Sequence, residues 1–346
     1  MEKHAEQYRR ENKMKKGLWL LGAAALFAMS SQVQAKQKVC VFDLLGRAGE
    51  SYKLLEEWRL SAQTWKANIE LIPYQDEEKA ERDFDQGRCD AVYMTSMRAR
   101  KYNKFAGSID AVGAVTSNAI AQKAISFVLD KRNQHRLVAT FNGEKFEVAG
   151  IIQVGLAYIF VRDKNINTIE KAKGKKFAYL HYDQAQKAIV ESIDLVAVPS
   201  NISDFVQKFN RGQVDVIAAP AYAYKPLEIN KGLANGALFN FPVVNITGDL
   251  IIRPEKFPSS FGAQSRQWFV GKLPSNFAMV QRLEAGMDAA RINLSNEDKV
   301  RYQKMLRDGR MNLTKEGVYD ATMMNVLKRA RCTVERTNFE CSLSGE

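Results

Sequence analysis

The residues that could do chemistry in this chain are few, and they do not form a catalytic motif. Only two histidines follow residue 35, His135 and His181, which is too few for a histidine-rich metal site. The sequence contains no His-Glu-x-x-His, Gly-x-Ser-x-Gly, Ser-x-x-Lys or Walker-type Gly-x-x-x-x-Gly-Lys-Ser/Thr pattern. It therefore predicts a protein that is not an enzyme and that holds no cofactor and no metal.

The remaining candidates are polar and aromatic side chains that follow the predicted strands. In an open α/β sheet the ligand lies outside the carboxyl ends of the strands. Aromatic rings and hydroxyl groups on loops that converge there suit a partly apolar, hydrogen-bonding solute. The positions selected are Asp43, Gly46 and Arg47 after the first strand, Tyr93, Thr95, Ser96 and Arg98 after the third, and His181, Tyr182, Asp183, Tyr222 and Tyr224 in the second half of the chain.

Each of these positions also has a plainer interpretation. Asp43 could cap a helix or a turn. Arg47 and Arg98 could be surface charges, and His181 could be a surface or packing residue. The Tyr182 and Tyr222 rings could belong to the core between two lobes. The loops are therefore better candidates than any single residue in them.

A secretory signal is predicted from Met14 onward. Two lysines follow this methionine, thirteen uncharged and mostly apolar residues occupy positions 17–29, and Val33 and Ala35 stand at the −3 and −1 positions of a cleavage site. A membrane-spanning helix would need ~20 apolar residues. We therefore expect export to the periplasm of a Gram-negative bacterium, cleavage after Ala35, and an N-terminal extension or misassigned start at residues 1–13.

The chain is basic, but its charge is not arranged for nucleic-acid binding. The formal net charge is +12, of which +3 falls in residues 1–35, and +9 remains for the mature chain. Nucleic-acid binding would need a basic stripe with interleaved aromatic residues, whereas these basic residues are spread along the chain. We expect no nucleic-acid partner. No apolar stretch after residue 35 approaches membrane-spanning length, so the mature chain is not expected to span the bilayer.

The four cysteines, Cys40, Cys89, Cys332 and Cys341, predict two disulfides in an exported protein. Four cysteines allow three pairings. Cys332 and Cys341 would close a short loop, and Cys40 could bridge to Cys89 if the strands that they begin are neighbours, as in a parallel sheet of order 2-1-3. The spacing Cys-x-x-Cys is absent, which argues against a zinc or redox role.

Short apolar runs alternate with amphipathic stretches, a pattern typical of a parallel sheet covered by helices. The 311 residues after position 35 also exceed the usual size of one core, which favours two lobes. The predicted strands are 39–42, 69–72, 91–94, 108–115, one or more buried strands within 149–161, 177–180, 195–199 and 216–219, and the predicted helices are 50–66, 76–86 and a C-terminal series from residue 264.

An internal repeat supports the two-lobe interpretation. The segment from Phe84 to Asp90 reads Phe-Asp-Gln-Gly-Arg-Cys-Asp, and the segment from Phe209 to Asp215 reads Phe-Asn-Arg-Gly-Gln-Val-Asp. A strand that ends at a proline precedes each copy. In each copy we expect the glycine to end a helix in the left-handed conformation and the aspartate to stand where the next strand begins.

On these features the region 155–249 resembles the second lobe of the solute-binding subunits of TRAP transporters. Residues 169–178, Ile-Glu-Lys-Ala-Lys-Gly-Lys-Lys-Phe-Ala, are similar to the Leu-Lys-Gly-Lys-Lys-Ile turn that opens a strand in that family. Val198-Pro199 and residues 205–215 follow in the same order as in the family pattern. The remainder of the chain resembles this family only in its rhythm of strands and helices.

The whole mature sequence also resembles the AdeT group of Acinetobacter-type envelope proteins. That group is labelled as solute-binding and is also linked by name to RND efflux and aminoglycoside resistance. The resemblance implies a small-molecule solute and a membrane transporter component as partners. A proton-driven pump must span the bilayer, so this chain could at most assist one.

One position departs from the TRAP pattern. Members of that family usually carry an arginine on the strand that enters the second lobe, where it pairs with a substrate carboxylate. Here Tyr158 stands at that position by register, and Arg162 comes later. Tyr158 is therefore a candidate ligand residue, and the resemblance gives no support for a carboxylate ligand.

The sequence thus predicts an α/β protein of the periplasmic-binding-protein type, with two α/β lobes around a cleft and C-terminal helices. We expect the first lobe at 36–150, the second at 151–245, and a crossover with helices that pack on both lobes at 246–346. The predicted function is capture of a small molecule in the cleft and its delivery to a TRAP-like transporter. The alternatives are an accessory factor for RND-type drug efflux, although no coiled-coil hairpin is present, and an exported hydrolase, although no nucleophile signature is present.

Overall fold

The computed structural model describes residues 36–346, so the predicted extension (1–13) and signal (14–35) lie outside the described residues. Within the described part, ten strands build one mixed sheet. The strands are β1 (Gln37–Phe42), β2 (Ile69–Tyr74), β3 (Ala91–Thr95), β4 (Val138–Phe141), β5 (Glu144–Val161), β6 (Lys176–Leu180), β7 (Val196–Ser200), β8 (Val216–Pro220), β9 (Ala237–Ile252) and β10 (Arg291–Ile292).

Helices cover the sheet, and short 3-10 turns join several of them. The α-helices of the described residues are α1 (Glu50–Thr64), α2 (Glu77–Asp85), α3 (Ser96–Ala99), α4 (Lys104–Gly107), α5 (Asn118–Val128), α6 (Ile169–Ala172), α7 (Gln184–Ser192), α8 (Phe205–Asn210), α9 (Ala221–Tyr224), α10 (Phe261–Ala285), α11 (Asn296–Lys315) and α12 (Ala321–Val334).

The order of the strands shows two equivalent lobes. The sheet runs β2-β1-β3-β9-β5-β8-β6-β7, with β4 on β5 and β10 on β9. Strands β1, β2 and β3 are parallel to one another, as are β6, β7 and β8, so each lobe has the 2-1-3 order that the sequence predicted for the first. The long strands β5 and β9 run antiparallel through both lobes. Both predicted lobe boundaries, after residues 150 and 245, therefore fall inside these two strands.

The two copies of the internal repeat make the same backbone and side-chain hydrogen bonds in their respective lobes. In the first lobe Asp90 N donates to Lys38 O, and Lys38 N donates to Asp90 Oδ2, both at 2.8 Å. In the second lobe Asp215 N donates to Lys176 O, and Lys176 N donates to Asp215 Oδ2, both again at 2.8 Å. Each aspartate thus ties the start of its third strand to the start of the first strand of its lobe, and the prediction of two similar lobes is confirmed.

The prolines that precede the two repeats lie on the edges of the sheet. Pro73 is inside β2 and Pro199 is inside β7, and these two strands are the outermost of the order. A proline has no N–H to donate, so it is tolerated on an edge strand. Each strand continues one residue beyond the proline that was predicted to end it.

The predicted strand at 108–115 is wrong. The chain forms a 3-10 turn at Ser108–Asp110 and then an irregular segment, in which Gly113 has φ +63°. The apolar side chains of this segment are buried as expected, but two arginines bind its backbone carbonyls. Arg310 Nη1 donates to Val112 O at 2.8 Å, and Arg331 Nη1 donates to Ala114 O at 3.0 Å. These side chains satisfy acceptors that a strand would have paired with another strand.

The C-terminal helices pack on both lobes. In α10, Ser265 Oγ accepts a hydrogen bond from Trp58 Nε1 of α1 at 2.8 Å, and Asn276 bonds both the N–H and the carbonyl of Gln153 in β5. In α11, Gly309 lies so close to Ile189 of α7 that a Cβ at this position would clash with it. These contacts fix the long strands and the second lobe against the helices.

The two disulfides are Cys40–Cys89 and Cys332–Cys341, with Cα–Cα distances of 5.8 and 5.7 Å. The first joins β1 to the turn that enters its neighbour β3. The second closes the short loop after α12. Of the three pairings that the sequence left open, the one that follows from a 2-1-3 sheet order is therefore observed.

Candidate functional site

A cavity of about 200 Å³ is lined by residues of both lobes. Its polar part lies at the carboxyl ends of β1, β3, β6 and β8, the end of the sheet at which ligands of open α/β folds bind, and its apolar lining continues into the second lobe as far as Phe177 and Val216. The polar lining residues on which the following paragraphs depend are Asp43, Tyr93, Thr95, Asp110, Asp183 and Tyr222.

Asp43 joins the two lobes across this cavity. Its Oδ1 accepts a hydrogen bond of 2.5 Å from the hydroxyl of Tyr222, which is in α9 of the second lobe. Its Oδ2 accepts from the backbone N–H groups of Ser51 and Tyr52 at 3.0 and 3.2 Å, in the first turn of α1. The capping role that the sequence offered for Asp43 is thus present, and the same carboxylate also joins the two lobes.

A second interlobe contact involves Tyr182, which follows β6. Its hydroxyl donates to Glu77 Oε2 at 3.0 Å, and the guanidinium carbon of Arg98 lies 3.8 Å from the centre of its ring. Arg98 also pairs with Glu77 at 3.2 Å and with Glu81. Tyr182 is therefore held between a carboxylate and a guanidinium of the first lobe.

A third interlobe contact involves Arg100, which bridges two aspartates of the cavity wall. Its guanidinium pairs with Asp110 in the first lobe and lies 3.6 Å from Asp183 Oδ1 in the second. Asp110 also accepts from Ser96 Oγ at 3.1 Å. Burial, reinforced by the nearby charge of Asp183, raises the pKa of Asp110 to about 6. Asp183 Oδ1 in addition accepts from the first N–H groups of α7.

Tyr93 and Thr95 form the floor of the cavity at the end of β3. Tyr93 Oη donates to Ser51 Oγ at 3.1 Å, and its ring lies directly over Gly248, where no larger residue would fit. Thr95 N donates to Glu77 Oε1 at 2.7 Å. The hydroxyl of Thr95 is buried, and among the described residues it has no hydrogen-bond partner.

Apolar side chains form the rest of the wall. They come from the middle of β5 and β9, where Val154, Ala157 and Ile246 line the cavity, and from the second lobe, where the lining continues to Ile159 and Phe177. A ligand in this cavity would therefore meet a few polar groups at one end and hydrocarbon over most of its surface.

The structure brings some of the predicted site residues together and places others elsewhere. Asp43, Tyr93, Thr95, Asp183 and Tyr222 line one cavity. Ser96, Arg98 and Tyr182 lie behind its wall, in the ion pairs and hydrogen bonds described above. The other five candidates also lie outside the cavity lining. Arg47 is exposed near the ring of Tyr52, and His181 is exposed beside Ser200 O. Tyr158 bonds Glu284 at 3.3 Å, and Gly46 and Tyr224 do not line the cavity either.

Several lining residues did not follow from the sequence. Asp110 was hidden inside the segment wrongly predicted as a strand, although an acidic residue within an apolar run was a usable signal. Tyr319 comes from the loop between α11 and α12 and lines the cavity from a distant part of the chain. Nothing in the local sequence around Tyr319 indicates that position.

Two further observations concern the described residues 36–346. They contain no group of three or more histidine, cysteine, aspartate or glutamate side chains placed to hold a metal ion. None of their helices combines the length and the apolar character that crossing a bilayer requires.

The fold is that of the periplasmic solute-binding proteins of TRAP transporters. The chain matches the TRAP solute-binding protein of Ralstonia eutropha H16, with (S)-2-acetolactate bound, at a TM-score of 0.69 and 14% identity, over 86% of this chain and 99% of that one. It matches the TRAP solute-binding protein of Haemophilus influenzae RdAW, with L-gulonate bound, at a TM-score of 0.68 and 13% identity, over 85% and 99% of the two chains.

The sequence places the chain more narrowly within this class. Residues 59–346 match the family described as "Solute-binding protein AdeT 1/2". The chain is also 37% identical over 308 residues to the "Probable solute-binding protein AdeT1" of Acinetobacter baumannii. This match covers 88% of this chain and 100% of that protein. The chain belongs to the AdeT 1/2 family of solute-binding proteins.

Proposed function

We propose that this protein is an extracytoplasmic receptor that closes its two lobes on a small molecule and delivers that molecule to a membrane transporter in the cell envelope. The observation that carries the proposal is the hydrogen bond between Tyr222 and Asp43, which joins the lobes at the edge of a shared cavity. The ion pair of Arg100 with Asp183 and the bond of Tyr182 to Glu77 add two more interlobe contacts. All three contacts would break if the lobes separated.

The periplasm is the compartment that suits this function. Two disulfides form and persist in an oxidising environment. The predicted signal at residues 14–35 and the periplasmic proteins that share the fold support the same location. Export and cleavage after Ala35 would be checked by N-terminal sequencing of the protein recovered from the periplasm of a Gram-negative host.

Lobe closure can be measured directly, because the chain offers a clean labelling background. All four cysteines of the sequence are in disulfides, so two introduced cysteines can be labelled selectively. Glu56 in α1 and Ala188 in α7 are exposed and belong to different lobes. The exported protein with Glu56→Cys and Ala188→Cys would carry a fluorophore pair, and a metabolite panel would be screened for changes in the distance between the labels.

The proposal predicts that one chemical class shifts this distance and raises the unfolding midpoint in the same experiment. A hundredfold excess over the dissociation constant adds ~2.7 kcal/mol of stability to the native state. If no compound in a broad panel changes either quantity in folded protein, the receptor function is wrong.

Delivery to a transporter requires its own test. A photo-crosslinking residue on the exposed surface of the chain would be used in cell envelopes with and without the solute. Delivery predicts a crosslink to an integral membrane protein that depends on the solute, because the transporter must distinguish the closed receptor from the open one. A crosslink to an efflux pump that is independent of solute would contradict delivery and support an accessory role instead.

A further inference from the structure

The charge that lines the interlobe cavity is negative, although the chain as a whole carries a formal charge of +12. Asp43, Asp110 and Asp183 line the cavity, and no lysine, arginine or histidine among residues 36–346 does. Arg100, the guanidinium beside two of these carboxylates, is held by Asp110, by Asp183 and by the carbonyl of Gly107 at 3.1 Å. When all four groups are ionised they carry one positive and three negative charges.

A second and independent observation is a polar group in the same wall without a partner. Thr95 is 8% exposed, it lines the cavity, and its hydroxyl has no hydrogen-bond partner among the described residues. Buried polar groups in folded proteins almost always find a partner. A bound N–H group would supply one, because a hydroxyl oxygen accepts hydrogen bonds.

The rest of the wall is hydrocarbon, which limits how many polar groups a ligand can carry. Val154, Ala157 and Ile246 lie next to the polar end, and Ile159 continues the apolar lining into the second lobe. A ligand with several hydroxyl or charged groups would leave some of them unpaired against these side chains, at a cost of ~1–3 kcal/mol each.

We propose that the cavity binds an organic cation, an ammonium group on an apolar body, in preference to a carboxylate. The inference rests on the receptor function proposed above and names the class of its solute. The ammonium group lies among Asp43, Asp110 and Asp183 and donates to Thr95 Oγ1. A carboxylate in the same place would add a fourth negative charge to the site, and no basic lining residue of the described chain would offset it.

The test compares ligands that share an apolar body and differ in the charge of their polar head group. The doubly labelled exported protein is titrated with 2-phenylethylamine, 3-phenylpropionate and 2-phenylethanol, and then with hexylamine, hexanoate and hexanol. Dissociation constants come from calorimetry, and lobe closure comes from the label distance. We expect an amine to bind at least about tenfold more tightly than its matched carboxylate. The two share an apolar body, so the charge of the head group in a desolvated site decides between them.

A conservative variant then tests the role of the acidic wall. Asp183→Asn removes one charge but keeps the helix cap, because asparagine caps α7 as well as aspartate does. The matched control is Asp76→Asn, which makes the same change at the half-exposed cap of α2, outside the cavity. Asp183→Asn also removes the interlobe ion pair with Arg100, which affects closure on both ligands alike. We therefore expect it to weaken the amine about tenfold more than the alcohol, and Asp76→Asn to change neither.

The outcomes separate this inference from the receptor function. If a carboxylate binds as tightly as its amine, or if Asp183→Asn weakens alcohol and amine equally, the cation preference is wrong. If neither amine closes the lobes while another solute of the metabolite panel does, the solute class is wrong and the receptor function stands. If nothing in either panel changes the label distance, the receptor function itself fails, and the inference fails with it.

Discussion

The hydroxyl of Tyr222 donates a 2.5 Å hydrogen bond to Asp43 Oδ1, although the two residues are 179 positions apart and lie in different lobes. Asp43 is held rigidly for this contact, because the N–H groups of Leu45, Ser51 and Tyr52 also donate to its carboxylate. The first lobe therefore fixes the position of the acceptor, Asp43, and the second lobe carries the donor, Tyr222. Because the donor and the acceptor belong to different lobes, this bond would break if the lobes separated.

Tyr222→Phe removes this bond and keeps the ring. A hydrogen bond to a charged group contributes ~1.5 kcal/mol or more, so the closed form should lose about tenfold in population relative to the open form. We expect weaker solute binding and a longer mean label distance without solute, measured by calorimetry and by fluorescence transfer.

The matched control for this change is Tyr224→Phe in the same helix. The ring of Tyr224 stacks on Phe160 at 6.0 Å, and the residue is outside the cavity lining. Tyr224→Phe also removes a hydroxyl, but it should leave the solute affinity and the label distance unchanged. If the two variants behave alike, the bond from Tyr222 to Asp43 does not control closure.

Asp249 should make the stability of the protein fall as the pH rises from about 4 to about 7. The residue is fully buried in β9, Thr247 donates to its Oδ1 at 2.9 Å, and its Oδ2 has no partner among the described residues. Burial raises the pKa of Asp249 to about 7 in the native state, whereas the pKa in the unfolded chain is about 3.9. As the pH rises, the unfolded chain therefore releases this proton before the native state does. The free energy of unfolding falls between about pH 4 and about pH 7.

Asp249→Asn should flatten this dependence, because the side chain no longer titrates. One group contributes a slope of at most about 1.4 kcal/mol per pH unit, and Asp110 retains a smaller contribution in the same window. Urea unfolding across the window measures the slope, with Asp194→Asn as an exposed control. An unchanged slope in Asp249→Asn would show that Asp249 is ionised in the native protein at pH 5.

Glu340→Gln should destabilise the protein by ~3 kcal/mol or more, because two buried arginines that share Glu340 and Glu346 would keep only one counter-charge. Arg310 and Arg331 are fully buried, and Glu340 Oε2 pairs with both, at 2.5 and 2.9 Å. The same arginines hold the carbonyls of Val112 and Ala114 beside the cavity. We therefore also expect faster hydrogen exchange in residues 108–116.

Urea unfolding and hydrogen exchange measure these two effects. Glu316→Gln, at an exposed position after α11, makes the same chemical change outside the cluster. It should change stability by less than about 0.5 kcal/mol. Equal effects of the two variants would show that the buried cluster contributes no more than a surface charge.

The repeat shows what the sequence could predict. The spacing of Phe84, Gly87 and Asp90 and of their second-lobe counterparts reports backbone geometry, because a left-handed glycine and a strand-opening aspartate are local requirements. Both glycines are left-handed, with φ of +70° and +73°. Local patterns of this kind therefore predicted strands β1, β2, β3, β6, β7 and β8, helices α1 and α2, and several of the loops that meet at the cavity, but not the long strand β9.

The segment 108–115 and Tyr158 show what the sequence could not predict. The path of 108–115 depends on arginines about 200 residues later in the chain. The direction of Tyr158 depends on irregularities in the pairing of β5 with β9 on both sides of this residue. Such shifts change which face a side chain occupies. Pro242, which pairs with Tyr158, is the residue type that marks the irregularity, but it does not give its direction. The polar cavity wall thus depends on long-range contacts that local patterns do not contain.

The two disulfides should differ in how much they stabilise the protein. Cys40 and Cys89 are 49 positions apart, and Cys332 and Cys341 are 9 apart. Because a longer closed loop restricts the unfolded chain more, the chain-entropy relation gives ~4 kcal/mol for the first bond and ~2.7 kcal/mol for the second. We expect Cys40→Ala with Cys89→Ala to lower the free energy of unfolding more than Cys332→Ala with Cys341→Ala. Urea unfolding of both double variants measures this difference, and each variant is the control for the other. A larger loss from the C-terminal pair would contradict the prediction. It would show that the short loop stabilises the native state beyond its effect on chain entropy, through the buried arginine cluster that it adjoins.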